Sequence, residues 1–196
     1  FKPHILCHVV GEETALKAST EEGNEHSRSN LKEIEKVVEV VYHLVYVEHV
    51  KINRIVILSQ YNAQCSKLRD QLEKNGFYTL KVSTVVSSQG GEWDYAIFST
   101  VRSLPAHLIE KNPTLGWCKE NLGFITDQHQ INVALTRARN GIIVIGNMNL
   151  LRCDKVWDDL IRHYESNDCI RDAETFPPII PTMQRRRPTS LQHRNY

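Results

Sequence analysis

The sequence has no CxxC pair, no apolar run near the roughly 18 to 20 residues that a membrane span needs, and no GxxxxGK[ST] loop. The first absence matters because the five cysteines, Cys7, Cys65, Cys118, Cys153 and Cys169, are odd in number and widely spread. They suit a reducing, intracellular compartment, nucleus or cytoplasm, better than a disulfide framework. The second absence excludes a membrane helix. The third, with no acidic pair following an apolar strand-like run, excludes a self-contained phosphate-loop hydrolase. An excess of one charge is also lacking: the net charge is +1. Four of the 24 basic residues lie in the last stretch, QRRRPTSLQHRNY, so the rest of the chain sets 20 basic against 23 acidic residues. Overall electrostatics therefore do not announce a nucleic-acid binder, and the basic end reads first as a solvated charge run.

What is present is a globular profile, with 41% hydrophobic and 24% charged residues in a chain of 196. That length suits one domain, or one domain with a tail. The opening FKPHILCHVV reads as a strand, and so abrupt a start suggests a segment of a longer protein. His4 and His8 share a face of that strand, but no carboxylate or thiolate spacing joins them into a metal site.

Residues 30 to 47 place Leu31, Ile34, Val38, Val41, Tyr42 and Val45 at helical spacing, and Asn30 with Glu33 forms a variant capping box. RIVILS (54 to 59) is a continuous apolar run, as expected of a strand covered on both faces. A helix over about 62 to 75 carries Cys65, Leu68 and Leu72 on one side and stops at Gly76. Strands are expected at 79 to 86, 95 to 101 and 141 to 147, with helices near 128 to 138 and 156 to 165; residues 102 to 123 read as loop with short helix. Strands alternating with helices give a mainly parallel sheet sandwiched by helices, an α/β fold. From about 171 the composition turns rich in proline and arginine, which places a domain at 1 to 170 and a disordered tail or linker at 171 to 196.

Ligands of open α/β sheets gather at the carboxyl ends of strands. SQYNAQ (59 to 64), SSQGGEWD (87 to 94) and QINVALTRAR (130 to 139) are the segments expected there or beside them. Each also has a plain structural explanation. Gly90 and Gly91 can simply make a turn, Gln64 can be a surface residue, and Arg137 and Arg139 can answer a helix dipole.

In order, however, YNAQ, STVVSSQGGEWDYAIFSTVR and NVALTRARNGIIVIGN resemble motifs IV, V and VI of superfamily 1 helicases of the up-frameshift type, a group active in RNA surveillance. NLKE matches that family's Asn-x-x-Glu helix start, and the resemblance covers about residues 1 to 168. It implies the second of two RecA-like domains, in the P-loop NTPase fold, with ATP and Mg2+ between them and the phosphate loop and magnesium carboxylate on the first. It implies an arginine finger at Arg137, a nucleotide ribose acceptor at Glu92, close backbone approach at Gly90, and a link between the ATP and RNA sides at Gln89. Ser59, Tyr61, Thr84 and Val85 match positions that face single-stranded RNA, with DNA as the alternative strand, in contacts that tolerate any sequence and weaken with salt.

Three departures stand out. Gln60 occupies a usual proline, Val86 and Ser88 replace a polar or acidic residue and an aromatic, and His129 and Gln130 replace a basic pair. The reading that follows is one motor domain of an ATP-dependent 5′ to 3′ RNA helicase, inactive alone. A helicase-derived scaffold or transcriptional co-regulator that binds protein partners without unwinding is the competing one. A free-standing nucleotide-binding regulator is a third, which the missing phosphate loop disfavours.

Overall fold

The chain opens on β1 (His4–His8), makes an antiparallel ribbon of β2 (Glu13–Ala15) and β3 (Arg28–Asn30), and enters α1 (Leu31–Tyr46). This is a computed structural model, which describes residues 2–15 and 28–178. The Asn30 side chain caps α1 by accepting the Glu33 N–H at 3.3 Å. Next come β4 (Ile55–Ser59), α2 (Asn62–Lys74), β5 (Lys81–Thr84) and β6 (Trp93–Ser99). The remaining elements are α3 (Leu115–Leu122), α4 (Gln128–Leu135), β7 (Ala138–Gly146), α5 (Met148–Leu151), α6 (Lys155–Ser166) and β8 (Ile170–Asp172). Thr114, Asp127 and Asp154 cap α3, α4 and α6 with their side-chain oxygens.

Six strands form one sheet in the order β5-β4-β6-β7-β1-β8, with every neighbouring pair parallel. Because side chains alternate across a strand, the sheet feeds two cores. Ile5, Cys7, Ile57, Ile97, Ile143 and Ile145 face α1 and α2, while Leu6, Leu58, Phe98 and Val144 face α3 to α6, including the fully buried Trp157. Both faces being covered, β4 is buried at all positions, as its apolar run predicts. Among the described residues, no helix is long and apolar enough to cross a membrane.

The helix α2 ends where its sequence says it should. Gly76 takes φ +86, and Phe77 N–H donates to Leu72 O at 2.9 Å, closing the last turn. A Cβ at Gly76 meets nothing within 4 Å, so a side chain there costs only backbone strain. Gly76→Ala is therefore expected to destabilise by about 1 kcal/mol, a fall in Tm of about 2 to 4 °C in a thermal melt. An unchanged Tm would contradict the left-handed cap.

Several expectations need correction. Leu31 is 63% exposed, because it lies on the first turn of α1, where Glu33 takes the buried place. The strand expected over 79 to 86 is shorter, because its partner β4 ends at Ser59, paired with Thr84. The helix expected to reach 138 stops at Leu135, and Arg139 lies on β7 rather than near a helix end. The boundary at residue 170 is also too early. Arg171 and Asp172 pair with Cys7 and His8 on the free flank of β1, and Phe176 is buried in the α1 core. The Lys36 ammonium fixes this segment by donating to Ala173 O and Phe176 O. Residues 179 to 196, most of the expected tail, lie outside the described residues.

Candidate functional site

Parallel register separates the candidate residues into two groups. Ser59 pairs with Thr84 on one side and Ser99 on the other, at the carboxyl rim of the sheet. Trp93 pairs with Ala138 at the amino rim. From Trp93 to Ser99 the strand runs about 20 Å, at roughly 3.3 Å per residue. The expectation that all three segments gather near carboxyl ends is thus half right. Ser59, Tyr61, Thr84 and Val85 stand at that rim, whereas Gly90, Gly91, Glu92 and Arg137 stand at the opposite one. The cause is topological: β6 runs parallel to β5, so residues 85 to 92 must carry the chain back across the sheet before β6 can start, and α4 does the same before β7.

At the amino rim the glycine-bearing loop meets the start of β7. Trp93 N–H donates to Arg137 O at 3.0 Å, which fixes the two segments side by side. Gly90 has φ +84, a left-handed conformation that favours glycine. At Gly91 a Cβ would fall 2.3 Å from the Trp93 ring, so only glycine lets the indole lie over the loop. The Arg137 guanidinium is half-buried and tied to its own lobe. Its Nε donates to Val133 O at 2.9 Å, Nη1 to Gly91 O at 3.0 Å and Nη2 to Thr136 Oγ1 at 3.3 Å. Each terminal nitrogen keeps a second N–H for another acceptor. The Glu92 carboxylate is exposed and paired with Arg139, whose Nε and Nη2 approach Oε2 at 3.0 and 2.9 Å. Gln89 is exposed beside them.

The carboxyl rim differs in character. Ser59 and Tyr61 are 0% and 1% exposed, and Ser59 Oγ accepts the Tyr61 N–H. Val85 is 1% exposed. Of the residues expected to face RNA, only Thr84 reaches the surface, its Oγ1 donating to Ser87 Oγ at 2.9 Å and accepting Ser87 N–H. The hydroxyls of Ser59 and Tyr61 are therefore part of the packing of this rim. Tyr61 is held among Arg102, Glu13 and Phe124, with Arg102 Nε donating to Glu13 Oε2 at 3.0 Å. Two departures from the family pattern touch each other here. Gln60 Nε2 donates to Gln130 Oε1 at 3.2 Å and to Phe124 O at 2.8 Å, joining the end of β4 to the start of α4.

The donor set at the amino rim comprises a guanidinium with N–H groups to spare and a carboxylate with Oε1 uncommitted. It fits phosphate and hydroxyl oxygens. Among the described residues no group of three or more His, Cys, Asp or Glu side chains could hold a metal ion.

Comparison with known proteins gives this arrangement a lineage, since residues 1–149 match the family described as AAA domain. The chain belongs to that family. Its relatives place it more narrowly as a superfamily 1 helicase domain of the up-frameshift type, with a RecA-like fold. The human protein named 3'-5' exoribonuclease HELZ2 is 40% identical over 171 residues, covering 87% of this chain and 6% of that protein. Helicase sen1 of Schizosaccharomyces pombe is 31% identical over 167 residues, covering 82% of this chain and 9% of that protein. The Arabidopsis thaliana regulator of nonsense transcripts 1 homolog is 37% identical over 110 residues, 56% of this chain and 7% of that protein. The helicase domain thus spans less than a tenth of each of these relatives. In fold it is similar to the C-terminal domain of a possible DNA helicase from Lactobacillus plantarum WCFS1, with a TM-score of 0.50 at 11% identity, covering 88% and 86% of the two chains.

Sequence reasoning about the helicase domain singled out Arg137 and missed Arg139 as a partner of Glu92. The signal was there. The two arginines are two apart: Arg137 immediately precedes β7 and Arg139 is its second residue, so both reach the glycine-bearing loop once β7 is seen to begin at Ala138. The Gln60 and Gln130 contact had no such signal, because it joins residues 70 apart in sequence.

Proposed function

We propose that this domain is the second motor lobe of an ATP-dependent RNA helicase that tracks 5′ to 3′, supplying one wall of the ATP site and half of a single-strand track. The observation that carries this reading is the convergence of Gly90, Glu92 and Arg137 on one rim of the sheet. Arg137 acts as the arginine finger, its spare N–H groups meeting charge that develops on the γ-phosphate. Glu92 accepts a ribose hydroxyl, Gly90 and Gly91 keep side chains away from the nucleotide, and Gln89 joins the loop to the nucleic-acid side. Mg2+, held by the first lobe, would neutralise phosphate charge when bound; this lobe contributes the cationic and hydrogen-bonding groups.

The single strand lies at the carboxyl rim. Thr84 meets it directly, and Ser59, Tyr61 and Val85 shape the rim beneath, so binding there is backbone-directed, sequence-tolerant and weakened by salt. The strand is RNA, and the other lobe of the same polypeptide is the obligatory partner.

Two measurements test this. The isolated domain should hydrolyse no ATP, while the full-length protein should show ATPase activity stimulated by single-stranded RNA. In that protein Glu92→Ala should raise the KM for ATP about tenfold, because a hydrogen bond to a charged acceptor is lost. ATPase rates equal with and without RNA would favour the scaffold reading instead.

A further inference from the structure

Two arginines, two positions apart on one stretch of chain, hold successive residues of the glycine-bearing loop. Arg137 donates to Gly91 O at 3.0 Å, and Arg139 donates to Glu92 Oε2 at 3.0 and 2.9 Å. The loop needs such holding. Gly90 is left-handed, with open space where a Cβ would be, and Glu92 is exposed at the last position before β6, where no ladder bond fixes its side chain. Both prongs of Arg139 land on the same carboxylate oxygen. Oε1 is thus left without a partner among the described residues.

We infer that Arg139 is a positioning residue for the nucleotide sugar: by anchoring Oε2 it presents Glu92 Oε1 to a ribose hydroxyl, and so sets selection for a nucleotide that carries that hydroxyl over the deoxy analogue that lacks it. This deepens, and rests on, the reading of Glu92 as the sugar acceptor. An unanchored glutamate on a glycine-rich turn samples several rotamers, and each must be frozen out when the sugar binds. The anchored one is already placed, so the hydroxyl meets a fixed acceptor. The chemistry selects a sugar that offers a hydroxyl to Oε1; it makes no demand on base or phosphate.

The pair is well exposed, at 62% for Arg139 and 57% for Glu92, and exposed pairs contribute little to folding. Arg139 variants should fold with Tm unchanged within about 2 °C. The test uses the full-length protein and measures steady-state KM and kcat for ATP, 2′-deoxyATP and 3′-deoxyATP in the wild type and in Glu92→Ala, Arg139→Gln and Arg139→Lys. The wild type should prefer ATP to at least one deoxy analogue, and Glu92→Ala should abolish the preference. Arg139→Gln should raise the KM for ATP about three- to fivefold, with kcat changing less, while leaving the KM for the disfavoured analogue in place, so that discrimination shrinks. Arg139→Lys, which restores a cation with one point of contact, should recover part of it.

Three results would overturn the inference. If Glu92→Ala abolishes discrimination but Arg139→Gln preserves it, Arg139 does not position the carboxylate, and the sugar-acceptor reading stands without it. If Arg139→Gln raises the KM for all three nucleotides equally, the arginine serves another part of the ligand. If Glu92→Ala leaves discrimination intact, the reading of Glu92 itself fails, whatever Arg139→Gln does.

Discussion

Alanine in place of Arg137 should lower RNA-stimulated ATP turnover of the full-length protein by about 10³, with far less effect on KM. The size follows from preorganisation. Three bonds to Val133 O, Gly91 O and Thr136 Oγ1 hold the guanidinium plane before any nucleotide arrives, so its remaining N–H groups need no reorganisation when charge develops. Lysine keeps the charge but cannot satisfy Val133, Gly91 and a phosphate oxygen together, so Arg137→Lys should stay at least about 100-fold impaired. Steady-state ATPase assays at saturating RNA provide the measurement. Turnover within twofold of wild type in Arg137→Ala would remove the arginine finger from the proposed mechanism. The side chain is only half-buried, and an unchanged thermal melt would show that lost turnover is not lost fold.

The second large effect concerns stability. Glu33 is wholly buried, and its Oε2 accepts Ser99 Oγ–H at 2.6 Å and Val101 N–H at 2.9 Å. Asn30 Nδ2 donates to Val101 O at 3.0 Å, so the pair together hold Val101 at φ +72, an unfavourable conformation for a β-branched residue. Glu33→Ala would leave a hydroxyl and a strained N–H unsatisfied in the core and should cost about 3 kcal/mol. Burial pushes the Glu33 carboxyl up to about 8, against an ordinary value of 4.5. The folded state then keeps a proton that the unfolded chain releases. Its contribution is complete below about 4.5, is lost as pH rises towards 8, at no more than about 1.4 kcal/mol per pH unit, and levels off above that. Glu33→Gln mimics the neutral carboxyl. Denaturant melts from pH 5 to 9 should show the variant gaining on wild type as pH rises; parallel curves would mean that Glu33 is ionised in the fold.

The fold was legible wherever a local rule and the tertiary demand coincide. The apolar run at 54 to 59 reads as a strand covered on both sides and is one, Asn30 could cap α1 from sequence neighbours alone, and Gly76 ends α2 for a backbone reason. Legibility failed where a partner strand decides. β8 exists because the flank of β1 is open to it, and Ile170 to Asp172 is too short to carry a period. The candidate site shows the same division. Motifs gave Arg137 and Glu92, but not their distance from Thr84, which depends on strand direction. Tyr61 matches a position that faces single-stranded RNA, yet Arg102 and Phe124, from two later segments of the chain, enclose it.

Residues 85 to 92 cross the whole sheet with a single 3-10 turn, Val86–Ser88, and they are pinned midway. Ser88 is buried, its hydroxyl donates to Val85 O at 2.6 Å, and its carbonyl accepts Gly91 N–H at 3.0 Å. Thr84 at one rim and Glu92 at the other are thus the two ends of a single short segment whose middle is held inside the fold.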